Sequence, residues 1–138
     1  TYLYNAILGD SRMFRGSVVL AERQAALGGA PVFMYYLTWE TPVGDGVFKS
    51  PHTLDIPFMF ANVDKAVALT GDGPGARALE EQMSGAWIAF ARNGDPGHAG
   101  LPEWPAYDAD ARPAMVFDVP PRVVQDPNRE ARRLLESD

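Results

Sequence analysis

Apolar side chains recur at helical spacing in two stretches of the chain. Phe14, Val18, Ala21 and Ala25 fall at i, i+4, i+7 and i+11, which puts them on one helical face. Asp10-Ser11 offers side-chain oxygens to the free N–H groups of a first turn. Gly28-Gly29 ends the run, because glycine takes the left-handed C-terminal conformation without a Cβ clash, and Pro31 cannot continue it. The pattern predicts a helix over roughly 11–27. Leu79, Met83, Trp87 and Phe90 repeat the spacing, and Arg77, Glu80, Glu81, Gln82 and Arg92 supply the wet side. Pro74 suits a first helical turn and Asn93-Gly94 a stop, so a second helix is predicted over roughly 74–92.

Between these helices the period changes. Pro31–Trp39 is β-branched and aromatic with no polar alternation, the pattern of a strand buried on both faces. Such a strand belongs to a parallel or mixed sheet covered by helices on both sides, so the fold class is α/β. Residues 40–55 read as loop. Ile56–Phe60 is apolar, but Pro57 lacks a backbone donor and disfavours a central strand there. A proline- and glycine-rich connection follows the second helix. Residues 114–118 and 122–125 then read as short strands of a hairpin around Pro120-Pro121. A last helix is predicted from Asp126-Pro127-Asn128 through roughly 136, with Ala131, Leu134 and Leu135 inward and Arg129, Arg132 and Arg133 solvated.

Composition narrows the function classes. The 138 residues have the size of one domain, and 46% hydrophobic content fits a packed core. A net charge of −6 argues against nucleic-acid binding through a basic patch. No run reaches the length of a membrane span. With no cysteine, disulfides, thiolate metal sites and thiol nucleophiles are all excluded within the chain, on either side of a membrane. Thirteen glycines and 12 prolines are about half again the usual density, which indicates long ordered loops. The first residues carry no basic signal-peptide region, and the chain reads as beginning in mid-structure.

Few residues suit chemistry. Phosphate loops, dinucleotide fingerprints and zinc-protease motifs are missing, and no cofactor is called for. Gly9-Asp10-Ser11-Arg12-Met13 approaches the nucleophile elbow but lacks its last glycine, and Ser11 reads as a helix cap. His52 and His98 have no metal-ligand spacing. His98 sits in a Gly-Asp-Pro-Gly turn and is expected to face solvent. His52, on a loop beside Pro51, reads either as a general base or as a loop histidine bonded to backbone. Glu40, Asp45 and Asp55 are possible acids, Asp55 more readily a structural one. Trp39, Phe48, Leu54, Phe58 and Phe60 surround the histidine in sequence, as core or as one wall of an apolar pocket; core is the better reading for Phe58 and Phe60.

Several motifs, in order, resemble one family. Asp10-x-x-x-Phe14-Arg15 with Ala30–Tyr36 resembles its helix and following core strand. Ser50-Pro51-His52-Thr53-Leu54-Asp55-Ile56-Pro57-Phe58-Met59-Phe60 resembles its histidine segment. Trp87–Pro96, Leu101-Pro-x-Trp104-Pro-x-Tyr107 and Met115–Asp118 resemble its closing helix, loop and edge strands. The family is the type B carboxylesterases, the cholinesterase-like branch of the α/β-hydrolases, and the likeness is to its bacterial, para-nitrobenzyl-esterase-like members. It extends over nearly the whole chain as the C-terminal part of one catalytic domain, residues 1–138, with no boundary inside.

The resemblance implies hydrolysis of small carboxylic esters by a Ser-His-Asp/Glu triad, with His52 as its histidine and Leu54 lining the substrate pocket. It also implies that Asp55 is structural and that the serine, the oxyanion loop and the triad acid precede this chain, in the order Ser, Asp/Glu, His. The isolated chain is then expected to be inactive. It is also expected to need the missing N-terminal part, or to self-associate through its open strand edge or apolar faces. The alternative from another class is a non-catalytic, esterase-like interaction module. An unrelated small α/β domain would require a closed sheet of its own.

Overall fold

The computed structural model describes residues 2–136. They fall into two compact units. One comprises the chain up to Met34, Pro105–Ala114 and the residues from Val124 onward; the other comprises Tyr35–Trp104 and Met115–Val123.

The first unit opens with helix α1 (Tyr2–Leu8), a π-helical stretch (Gly9–Phe14) and helix α2 (Arg15–Leu27). The predicted face of α2 is the buried one: Phe14, Val18 and Ala21 face the core, and Ala25 is half-buried. The expected cap at Ser11 is corrected. Helix already runs through this position, and Ser11 Oγ donates to the Leu8 carbonyl instead of capping a new start. The Asp10 side chain lies outside the described residues. Gly28 closes α2 at φ 63°, its N–H donating to the Ala25 carbonyl at 3.1 Å. Gly28→Ala should therefore lower stability by about 1 kcal/mol, because a Cβ is disfavoured in the left-handed region. Urea denaturation of an enzyme in which this chain is joined to the rest of the fold measures this, and an unchanged midpoint would contradict it.

Helix α6 (Arg129–Glu136) corrects the sequence reading of its faces. Arg132 is buried and Leu134 is 72% exposed, against the expectation, whereas Arg129 and Arg133 are exposed and Ala131 and Leu135 half-buried. The cause lies just ahead of the helix. Asp126 is buried in the left-handed region, at φ 49°, with its N–H on the Arg112 carbonyl. Its carboxylate takes two bonds from Arg132, Nε at 2.9 Å and Nη2 at 2.7 Å, and one from Arg129 Nε at 3.1 Å. The ion pair turns Arg132 inward.

The second unit is built around strand β1 (Tyr35–Leu37), short helices α3 (Asp55–Met59) and α4 (Val67–Thr70), and the long helix α5 (Pro74–Asn93). Strands β2 (Pro113–Phe117) and β3 (Arg122–Gln125) contribute to both units. The sheet order is β1-β2-β3, with β1 parallel to β2 and Tyr35 opposite Met115. Residues 118–121 are too short a connection for a crossover, so β2 and β3 form the expected antiparallel hairpin.

The predicted strand over 31–39 is corrected in length and in burial. Only Tyr35–Leu37 is strand, and all three residues are half-buried. The centre of the sheet is β2, buried along its whole length, which leaves β1 on an edge. Pro57 falls in the first turn of α3, where its missing N–H costs nothing. Helix α5 begins at Pro74 and stops at Gly94, whose φ is 73°. Its buried line is Ala76, Leu79, Met83 and Ala86. Trp87 is half-buried, and Phe90 is 49% exposed.

Candidate active site

The His52 loop leaves the sheet at the end of β1. Thr38 and Trp39 both donate their N–H groups to the Phe117 carbonyl, at 3.0 and 3.3 Å. The Thr38 hydroxyl donates to Asp118 Oδ2 at 3.0 Å. The loop then closes on itself, with Thr41 N–H on the Lys49 carbonyl and Lys49 N–H on the Gly46 carbonyl. The buried Thr41 hydroxyl donates to the Leu69 carbonyl at 2.6 Å, tying the loop down to α4. Glu40 pairs with Lys49 on the surface at 2.8 Å, and Asp45 is exposed at the loop tip. Neither carboxylate is directed to the histidine by a bond.

His52 sits on a tight turn at the far end of this loop. Leu54 N–H donates to the Pro51 carbonyl and Ile56 N–H to the Thr53 carbonyl, at 3.1 and 3.2 Å. Ser50 Oγ reaches the Leu37 carbonyl at 3.4 Å. Thr53 adopts φ 73°, a left-handed backbone that opposes a β-branched side chain. The His52 side chain is exposed and makes no hydrogen bond with any described residue. Leu54, two positions on, is 1% exposed and points into the core.

Asp55 takes part in a different bond from the loop-amide contacts its sequence suggests. It accepts the Tyr35 hydroxyl at 2.7 Å through Oδ2. Tyr35 stands edge-on to Trp87, with ring centres 5.1 Å apart, and edge-on to Phe117 at 6.1 Å. Burial pushes the Tyr35 hydroxyl well above the ordinary tyrosine range, and the bond to Asp55 adds to this, so it stays a donor. Sequence reasoning missed Tyr35. Its only signal is a tyrosine inside an otherwise apolar strand, where a buried hydroxyl calls for a partner. Phe58 is fully buried, edge-on to Trp39 at 5.4 Å, whereas Phe48 and Phe60 are exposed. For Phe60 the core reading is thus corrected: it lies just past the end of α3, and its ring turns outward.

His98 departs from the solvent-facing expectation. It is half-buried, with Nε2 3.0 Å from the Gln82 carbonyl and the Gly100 N–H donating to Nδ1 at 3.1 Å. These partners require the proton on Nε2. A Cβ at Gly85 would come within 3.0 Å of this ring, so the helix has no side chain where the histidine lies. His98 fastens the loop after α5 and is committed to structure. Among the described residues no three His, Cys, Asp or Glu side chains converge as a metal site.

His52 is thus exposed on a braced turn and bonded to no described residue, whereas His98 is held by its neighbours. The carboxylesterase family profile matches residues 2–134. The chain belongs to the carboxylesterase family. It is 30% identical over 131 residues to the para-nitrobenzyl esterase of Bacillus subtilis, covering 94% of this chain and 26% of that protein. It is 32% identical over 114 residues to the phenmedipham hydrolase of Pseudarthrobacter oxydans, covering 80% and 23%. Among solved structures, a thermophilic para-nitrobenzyl esterase superposes with a TM-score of 0.81 at 29% identity, over 94% of this chain and 26% of that one. An esterase of Clostridium hathewayi gives 0.80 at 28% identity, over 96% and 28%. This carboxylesterase chain therefore spans about a quarter of the length of its relatives. Its helices and small mixed sheet are a part of the α/β-hydrolase fold.

Proposed function

We propose that this chain supplies the histidine of a Ser-His-Asp/Glu triad in a carboxylic ester hydrolase. His52 accepts the serine proton as the ester carbonyl is attacked and returns it to the leaving alcohol. The observation that carries this reading is the His52 imidazole itself: exposed, bonded to no described side chain or backbone group, and held on a turn tied to both β1 and α3. A structural histidine is spent on its neighbours, as His98 is. The serine and the acid belong, in this reading, to the part of the carboxylesterase fold outside these 138 residues. Leu54, buried beneath the turn, backs the edge of the ester pocket in this reading. The open edge of β1 and exposed Ile56, Phe60, Ile88 and Phe90 are surfaces for the rest of that fold, or for a second copy when it is missing.

The test is a fusion in which this chain replaces the 131 residues it matches in the Bacillus subtilis para-nitrobenzyl esterase. The folded fusion should hydrolyse a 4-nitrophenyl ester, followed by release of nitrophenolate. The 138-residue chain alone should release none above buffer. Turnover by the isolated chain would contradict the proposal. A folded fusion without turnover would instead favour a non-catalytic interaction module.

A further inference from the structure

The His52 imidazole has no bond of its own to a described residue, so what this chain contributes to its placement is the backbone of its turn. That backbone is not in a relaxed state. Thr53 follows the histidine at φ 73°, where its β-branched side chain is opposed sterically. Such a conformation persists only where its surroundings over-determine it. Two anchors on the C-terminal side of the turn do this. Leu54 is buried, and Asp55 is fastened by the Tyr35 hydroxyl at 2.7 Å. Tyr35 is itself a fixed point. It is paired with Met115 in the sheet and confined between the edges of Trp87 and Phe117. A rigid strand residue thus reaches across to the start of α3 and holds the position three residues after the histidine.

Resting on the reading of His52 as the base, we infer that Tyr35, acting through Asp55, is a positioning residue for the His52 imidazole in ester hydrolysis. The pair touches neither substrate nor reacting atoms. Without the hydroxyl, the turn relaxes toward an unstrained backbone and the imidazole moves off the line to the serine. Misplacement of this kind lowers the rate of proton transfer and leaves ester binding as it was.

Kinetics of the fusion enzyme test this. Tyr35→Phe should lower kcat about tenfold or more while KM stays within about twofold. Asp55→Asn keeps an oxygen acceptor for the hydroxyl and should hold kcat within about threefold. Asp55→Ala should match Tyr35→Phe, and the two together should lose no more than either alone. An unchanged kcat in Tyr35→Phe, a change in KM alone, or independent multiplying losses in the double variant would each overturn the inference. His52→Ala separates the two levels. If it abolishes turnover while Tyr35→Phe leaves kcat intact, only the positioning role fails; if it leaves turnover intact, the base assignment and the positioning role fail together.

Discussion

Arg132→Ala should destabilise the fusion enzyme by about 3 kcal/mol, an unusually large effect for an arginine on a short helix. The arginine and Asp126 side chains are only 8% and 7% exposed, and the guanidinium fork bonds both carboxylate oxygens. Removing it leaves a buried carboxylate whose other ion-pair partner, Arg129, stands more than half in solvent. The cost is mainly that of a buried carboxylate left with the half-exposed Arg129 alone, since an intact buried pair has a small net value once desolvation is counted.

The same pair predicts a pH dependence. The bonds from Arg132 hold the Asp126 carboxyl below the usual carboxylate range, partly opposed by its burial. A carboxyl depressed in the folded state contributes stability that is fully present above its ordinary value. That stability is lost as the pH falls through the depressed folded value. Urea midpoints taken from neutral pH downward should fall across that acid window, and the slope should flatten in Arg132→Ala. A variant as stable as the parent, with the same acid slope, would contradict the assignment.

This ion pair also marks where sequence reading stops. Helix ends were legible because single residues decide them: Gly28 and Gly94 close α2 and α5, and Pro74 opens α5. The inward face of α2 was legible because an apolar stripe has nowhere else to go. In α6, composition pointed the wrong way, since Leu134 is apolar and exposed while Arg132 is charged and buried. A local pattern carries no information about an aspartate six residues earlier whose backbone turns its carboxylate toward the helix.

The site divides in the same way. The role proposed for His52 rests on the motif around it, to which the structure adds that the side chain is exposed and makes no bond with a described residue. The bond from Tyr35 to Asp55 was not, because it joins residues 20 positions apart. His98 looked like a flexible-loop histidine, and only the bare surface at Gly85 gives its ring a seat.

The largest expected effect belongs to His52, and it separates chemistry from folding. In the fusion enzyme His52→Ala should lower kcat by about four to six orders of magnitude, the scale set by loss of a triad histidine. Its effect on stability should be small beside this, since the side chain makes no bond with any described residue and is not part of the buried core. Few substitutions divide activity from stability so widely, and a histidine that merely braced its loop would show the opposite ratio.

The deciding measurement is therefore kcat for a 4-nitrophenyl ester in the fusion, with and without His52→Ala, alongside the urea midpoint of each. The account predicts turnover lost by at least about ten-thousandfold with the midpoint unmoved. Turnover retained within about tenfold, in a protein of equal stability, would remove His52 from the reaction and contradict the proposed function.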